Sequence, residues 1–241
     1  FVLAGDGVKE LQEGGYIQIS GNDSVIDGCW FSRGARGVEG YNADVTMGRA
    51  IIRNCVFEGT YSQSVFFASG QQWSDVVIEN LHISGDETFT KGIDGLYAIN
   101  LGVAKNVTIR NNTISNEFWG INVERGAAYT SENTLIEGNR LLYYTVGVNL
   151  GAVGSGGSFS TYVTRNLFQW GTNQAIRVTG TNNWIEGNIF ENGSAGDTVK
   201  FYTSVTTATN NWLVRNRFID TTHGRSVAAI ALHNGSGQNL S

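Results

Sequence analysis

The sequence predicts an all-β solenoid, a right-handed parallel β-helix of about eight to nine stacked coils with an internal Asn ladder. A recurring six-residue phrase, its spacing and a turn-rich composition carry that reading. The phrase runs apolar, polar, Gly or Asn, small polar, any residue, apolar, and copies begin at Ile26, Ile52, Ile78, Ile109, Ile136, Val163, Ile185 and Leu213. Its fourth position falls at 29, 55, 81, 112, 139, 166, 188 and 216, so consecutive copies lie 22 to 31 residues apart. Self-similarity at such a period marks supersecondary units that bury their apolar faces only by stacking. The composition agrees: 32 Gly, no Pro and frequent Asn favour short strands joined by turns with positive φ.

The elements of one coil follow from the phrase. Alternation turns Ile26 inward and Asp27 outward on a first strand. Position three is Gly28, Asn54, Asn80, Asn111, Gly138, Arg165, Gly187 and Arg215; Gly and Asn adopt the left-handed conformation at low cost, so the chain bends there. Position four turns inward again as Cys29, Cys55, Leu81, Asn112, Asn139, Asn166, Asn188 and Asn216. Five Asn in register can bond one another and the turn backbone, which offsets the cost of burying amides. The two cysteines are expected as stacked inward thiols that pack as small hydrophobes. A further apolar segment follows each phrase, at 37–39, 64–69, 96–101, 120–124, 147–150, 175–178, 198–202 and 228–233. Coils of this length are too short for the four strands of a propeller blade, and the regular Leu/Asn frame of a leucine-rich repeat is missing.

Bulk properties narrow the functional classes. One repeat running through most of 241 residues argues for a single domain over 1–241, and the start at Phe1 without a signal-like segment suggests a piece of a longer chain. A net charge of −5 offers no basic footprint for nucleic acid. No apolar run is long enough to span a membrane. The acidic stretch from Asp86 and Glu87 to Asp94 has carboxylates suited to Ca²⁺ but no fixed ligand spacing, so no metal site and no cofactor is expected. His82, His223 and His233 are scattered, and the 151–157 Gly loop precedes no helix and is not a phosphate cradle.

Two outward columns lie on the first strands. Position two alternates in sign over Asp27, Arg53, Glu79, Arg110 and Glu137, as a cross-strand ion-pair ladder does. The residue before each phrase is Val25, Ile51, Val77, Thr108, Leu135, Tyr162, Trp184 and Trp212. An outward apolar stripe of that length points to a covered surface.

The bend carrying Asn112, Asn139, Asn166, Asn188 and Asn216 resembles the asparagine ladder of the pectate lyase-like superfamily. Phrases such as Val107-Thr108-Ile109-Arg110-Asn111-Asn112 resemble its carbohydrate-binding and sugar-hydrolase repeats. The resemblance covers residues 16 to 233 and implies an extracellular, virion or cell-surface protein acting on a polysaccharide. It places the substrate cleft on the second strands, where one outward row is Asn100, Asn122, Asn149, Arg177, Lys200 and Ala231 and the next holds Glu124, Tyr202 and His233. Lys200, Arg177, Glu124 and Tyr202 are the catalytic candidates: a cation neutralises a uronate carboxylate, a base takes the acidified proton, and a phenol or acid assists departure. Asn100, Asn122, Asn149, Trp119, Tyr144, Trp170 and His233 are the substrate-binding candidates, since flat rings stack on sugar faces and amides hold hydroxyls. Lyase action by β-elimination, a non-catalytic structural or adhesion solenoid, and a glycoside hydrolase all remain open, the last requiring a carboxylate partner for Glu124. Analogy with phage tailspikes implies a homotrimer whose subunits cover the apolar stripe.

Overall fold

The computed structural model describes residues 2–4, 8–11, 16–32, 36–40, 47–60, 62–67, 73–85, 97–123, 131–151, 160–193, 196–202, 210–220 and 229–233. It is a parallel β-solenoid of stacked coils with three long sheets. The first sheet holds Val25–Asp27, Ile51–Arg53, Val77–Glu79, Thr108–Arg110, Leu135–Glu137, Tyr162–Thr164, Trp184–Glu186 and Trp212–Val214, all parallel. The third runs from Trp30–Ser32 to Arg217–Ile219. The second runs from Tyr16–Ile19 through Arg36–Gly40, Gln63–Phe67, Tyr97–Leu101, Trp119–Val123, Val146–Leu150, Gln174–Val178 and Val199–Tyr202 to Ile230–His233. At the N-terminal end Val2–Ala4 and Val8–Leu11 pair antiparallel with Val25–Asp27 and Tyr16–Ile19, covering edges that would otherwise template further pairing. A fourth sheet of two-residue strands, Met47–Gly48, Trp73–Ser74 and Ala104–Lys105, has no counterpart in the sequence reading.

Each sheet contributes an interior column. Ile26, Ile52, Ile78, Ile109, Ile136 and Ile185 are each fully buried and in register, as the phrase requires. From the third sheet, Phe31 stacks on Phe57, and Phe168, Phe190 and Phe218 stack in sequence at centroid distances of 5.0 and 4.9 Å. The second sheet faces them with small residues at the corner: a Cβ on Gly147 would lie 2.9 Å from the Phe168 ring.

Every third position of the phrase has positive φ, from Gly28 to Arg215, including both arginines. The structure adds two further left-handed columns. Asp23, Arg49, Asp75, Asn106, Asn133, Ser160, Asn182 and Asn210 enter the first strand, and Asn116, Tyr143, Trp170, Asn192 and Asp220 leave the third. At the phrase bend, Asn112, Asn139, Asn166 and Asn188 each donate from backbone N and side-chain Nδ2 to the Oδ1 of the next Asn, ending at Asn216. Each Nδ2 also reaches a strand carbonyl, as Asn139 does to Ile109 at 3.0 Å. A second amide contact joins Asn183 to Asn211 before the first strand. Cys29 and Cys55 are buried free thiols, with Cys29 N–H donating to Cys55 Sγ; burial pushes the Cys55 thiol up to about 11. On the outside, Arg53 bonds Asp27 and Arg110 bonds Glu79 at 2.8 and 2.7 Å, while Glu137 pairs with Arg165 of the bend rather than with Arg110.

Candidate functional site

The outer face of the second sheet carries two columns whose spacing is set by strand register. The first reads Arg36, Gln63, Tyr97, Trp119, Val146 and Gln174. The second reads Gln18, Glu39, Phe66, Asn100, Asn122, Asn149, Arg177, Lys200 and Ala231. Parallel pairing places the side chains of one column on adjacent strands about 4.8 Å apart, close enough for neighbours to bond.

Three of the expected sugar-binding amides are closed off from solvent in this structure. Asn100, Asn122 and Asn149 occupy the outward column yet are 8%, 0% and 3% exposed. Their hydrogen bonds go along the column: Asn122 Nδ2 donates to Asn100 Oδ1 at 2.9 Å and Asn149 Nδ2 to Asn122 Oδ1 at 2.6 Å. They tie coils together, and only Asn149 Oδ1 at the end of the row is left without a partner.

Beyond that row the face becomes cationic and aromatic. The Arg177 guanidinium lies 5.8 Å from the Trp119 ring centroid and 4.6 Å from that of Tyr202. Lys200 Nζ is 5.1 Å from the Tyr202 ring and 3.2 Å from Asp197 Oδ2. Gln174 Nε2 donates to the Tyr202 hydroxyl at 3.0 Å, and Trp119 stacks on Tyr97 at 5.7 Å. Sequence reasoning named Arg177, Lys200, Tyr202 and Trp119, and the structure brings these four together. It missed Gln174, Asp197 and Tyr97; the first lies three residues before Arg177 and the second three before Lys200, on the same strands or their approaches. Arg177 Nε is buried with no hydrogen-bond partner. An orphaned donor of this kind costs about 1–3 kcal/mol, so its retention calls for an explanation.

The remaining candidates separate. Tyr144 is 3% exposed and packs edge-on against Phe168, so it plugs a corner of the coil instead of facing a sugar. A Cβ on Gly171 would meet its ring at 2.4 Å, and burial holds its phenol far above the ordinary range. Trp170 stacks on Tyr143 at 4.9 Å on the left-handed corner column that leaves the third sheet. Glu124 and the 86–94 acidic stretch lie outside the described residues. The backbone of His233 pairs with Tyr202, and its side chain also lies outside them. Among the described residues no three His, Cys, Asp or Glu side chains form a metal-binding group, and no helix is long and apolar enough to cross a membrane. One buried acid went unnoticed: Glu117, 3% exposed, turns into the corner beside Gly85, its Oε1 has no partner, and desolvation raises its pKa well above the ordinary carboxylate value.

Stacked parallel coils with left-handed bends and an interior amide row define a β-solenoid of the β-helix class. The family model described as "Right handed beta helix region" matches residues 10–160, and the chain belongs to that family. No curated protein matches it in sequence. Among solved structures, endopolygalacturonase I from Stereum purpureum, complexed with two galacturonates, is similar at 14% identity with a TM-score of 0.41, covering 90% of this chain and 70% of that one.

Proposed function

We propose that the protein recognises an acidic polysaccharide along the outer face of the second sheet. The observation that carries this reading is Arg177, held between the rings of Trp119 and Tyr202 with Lys200 beside it. Rings give a sugar its apolar contact, and two cations on adjacent strands suit the regularly spaced carboxylates of a uronate chain. Arg177 Nε and Asn149 Oδ1, orphaned at paired positions, gain partners when a sugar hydroxyl enters between them, because a hydroxyl both donates and accepts. That entry requires the Arg177 side chain to turn outward, since both atoms are closed off. The stack of parallel coils serves as the rigid support for this face. An extracellular or surface location follows from such a ligand.

Cleavage by β-elimination is the finer part of the proposal: Arg177 neutralises the carboxylate and Lys200 or Tyr202 takes the α-proton. The C–O bond at the β-carbon breaks as the α,β double bond forms, and the departing oxygen takes up a proton from the same group or from water. Hydrolysis is less well served. The described carboxylates of this face, Glu39 and Asp197, are each tied to a cation, Arg36 and Lys200. A polysaccharide panel read by absorbance of unsaturated uronates and by reducing ends tests the reading. Absorbance that rises on uronate polymers supports a lyase, reducing ends alone indicate a hydrolase, and binding without either leaves a recognition module. No binding across the panel overturns the proposal in favour of a structural scaffold.

A further inference from the structure

The outer face of the first sheet carries a separate groove of about 360 Å³, lined by Thr164, Arg165, Glu186, Gly187 and Arg215. Its volume is within the range of roughly 300–1,000 Å³ typical of ligand pockets. Arg165 and Arg215 stand on the bend column, with φ of 56° and 53°, where the other coils place Gly or Asn. Gly187 lies between them in that column, and a Cβ there would approach nothing closer than Arg165 Cγ at 3.9 Å, so the floor is open. Two long cations at positions that favour Gly are not something the bend itself requires. Arg165 pairs with Glu137, and Arg215 Nη1 lies 3.6 Å from Glu186 Oε1. The other oxygen of Glu186 accepts a hydrogen bond from Trp184 Nε1 at 2.9 Å. Trp184 in turn stacks on Trp212 at 4.9 Å, and Tyr162 precedes it in register. Tyr162 and Trp212 are 50% and 41% exposed. The C-terminal part of the apolar stripe thus adjoins the groove, joined to its lining through the Trp184–Glu186 hydrogen bond.

We propose that this groove is a second saccharide site, selective for a neutral sugar unit. The two guanidiniums are offset by Glu137 and Glu186, so the groove has donors and acceptors but no surplus charge. Sugar hydroxyls both donate and accept, and they match such paired groups with exposed aromatic rings on the same sheet. A uronate carboxylate would meet Glu186 and be disfavoured. The site lies on a different sheet from Arg177 and Lys200 and stands independently of the second-sheet reading.

The test is site-resolved. Indole N–H resonances of the six Trp are followed by NMR while cellotetraose, maltotetraose and an oligogalacturonate are added in turn. The Trp184 and Trp212 signals are expected to shift saturably with at least one neutral oligosaccharide. Arg165→Gly and Arg215→Gly place the residue that the bend favours, so they keep the fold, and each is expected to weaken that titration about tenfold or more. Trp30→Ala, on the third sheet, is expected to leave it unchanged. Neutral sugars that move neither signal overturn the proposal, as do shifts retained in both arginine variants or seen only with the oligogalacturonate. Shifts at Trp119 alone report on the second-sheet face instead and count against this groove.

Discussion

The Arg177 guanidinium sits 4.6 Å from the centre of the Tyr202 ring while its buried Nε has no hydrogen-bond partner. A half-buried guanidinium with a closed-off, unsatisfied Nε is more costly than one turned to water, and a scaffold alone gains little by keeping it there.

The interior Ile column makes the coils interdependent. Ile109→Asp puts a charge at a fully buried position between Ile78 and Ile136. The expected outcome is cooperative loss of the whole fold, at a cost of several kcal/mol, read as loss of the β-sheet circular dichroism signal. A folded variant with unchanged melting would show that the column is not the core.

The Asn139 side chain makes four hydrogen bonds: its Oδ1 accepts from Asn112 N and Nδ2, and its Nδ2 donates to Ile109 O and Asn166 Oδ1. Asn139→Ala is expected to lower stability by at least about 1–3 kcal/mol in urea titrations without changing ligand affinity. Unchanged stability with lost binding would move this row from support to site.

Glu117 gives a pH dependence whose sign is fixed by its raised pKa. The unfolded chain releases the proton near the ordinary carboxylate value and the folded chain holds it, so stability is full below that value. It then falls by up to about 1.4 kcal/mol per pH unit as pH rises, until the folded group ionises. Glu117→Gln is expected to remove this decline, so the variant gains on the wild type as pH increases. Parallel stability profiles for the two proteins would show that the carboxyl is not confined as described.

The corner assignment of Tyr144 is checked by Gly171→Ala, whose Cβ would meet the Tyr144 ring at 2.4 Å. Melting is expected to fall, by about 1–3 kcal/mol for overpacking, whereas Tyr144→Phe leaves saccharide affinity unchanged. Affinity lost in Tyr144→Phe would restore the sugar-stacking role.

The solenoid was legible because the phrase repeats what each coil needs locally: alternation at Ile26 and Asp27, and a left-handed residue at Gly28. The other two left-handed columns carry the same spacing and mostly Asn or Asp, but Arg49, Tyr143, Ser160 and Trp170 interrupt them, so the columns emerge fully only from the register of the coils. The site was half legible. Alternation correctly turned Asn122 outward, yet alternation is blind to what a neighbouring coil's amide does, and column bonding buried it. Tyr144 failed for a related reason: adjacent positions at a corner diverge, leaving Tyr143 exposed and Tyr144 inside.

The most direct test of the account is calorimetric titration of a polygalacturonate into the wild type and into Arg177→Ala and Lys200→Ala. Removing a charge-assisted contact is worth about 1.5–3 kcal/mol, so each variant is expected to bind roughly ten- to a hundredfold more weakly, with melting temperatures close to wild type. Equal affinity in all three proteins, or no heat of binding in the wild type, would contradict the assignment of an acidic polysaccharide to the second-sheet face.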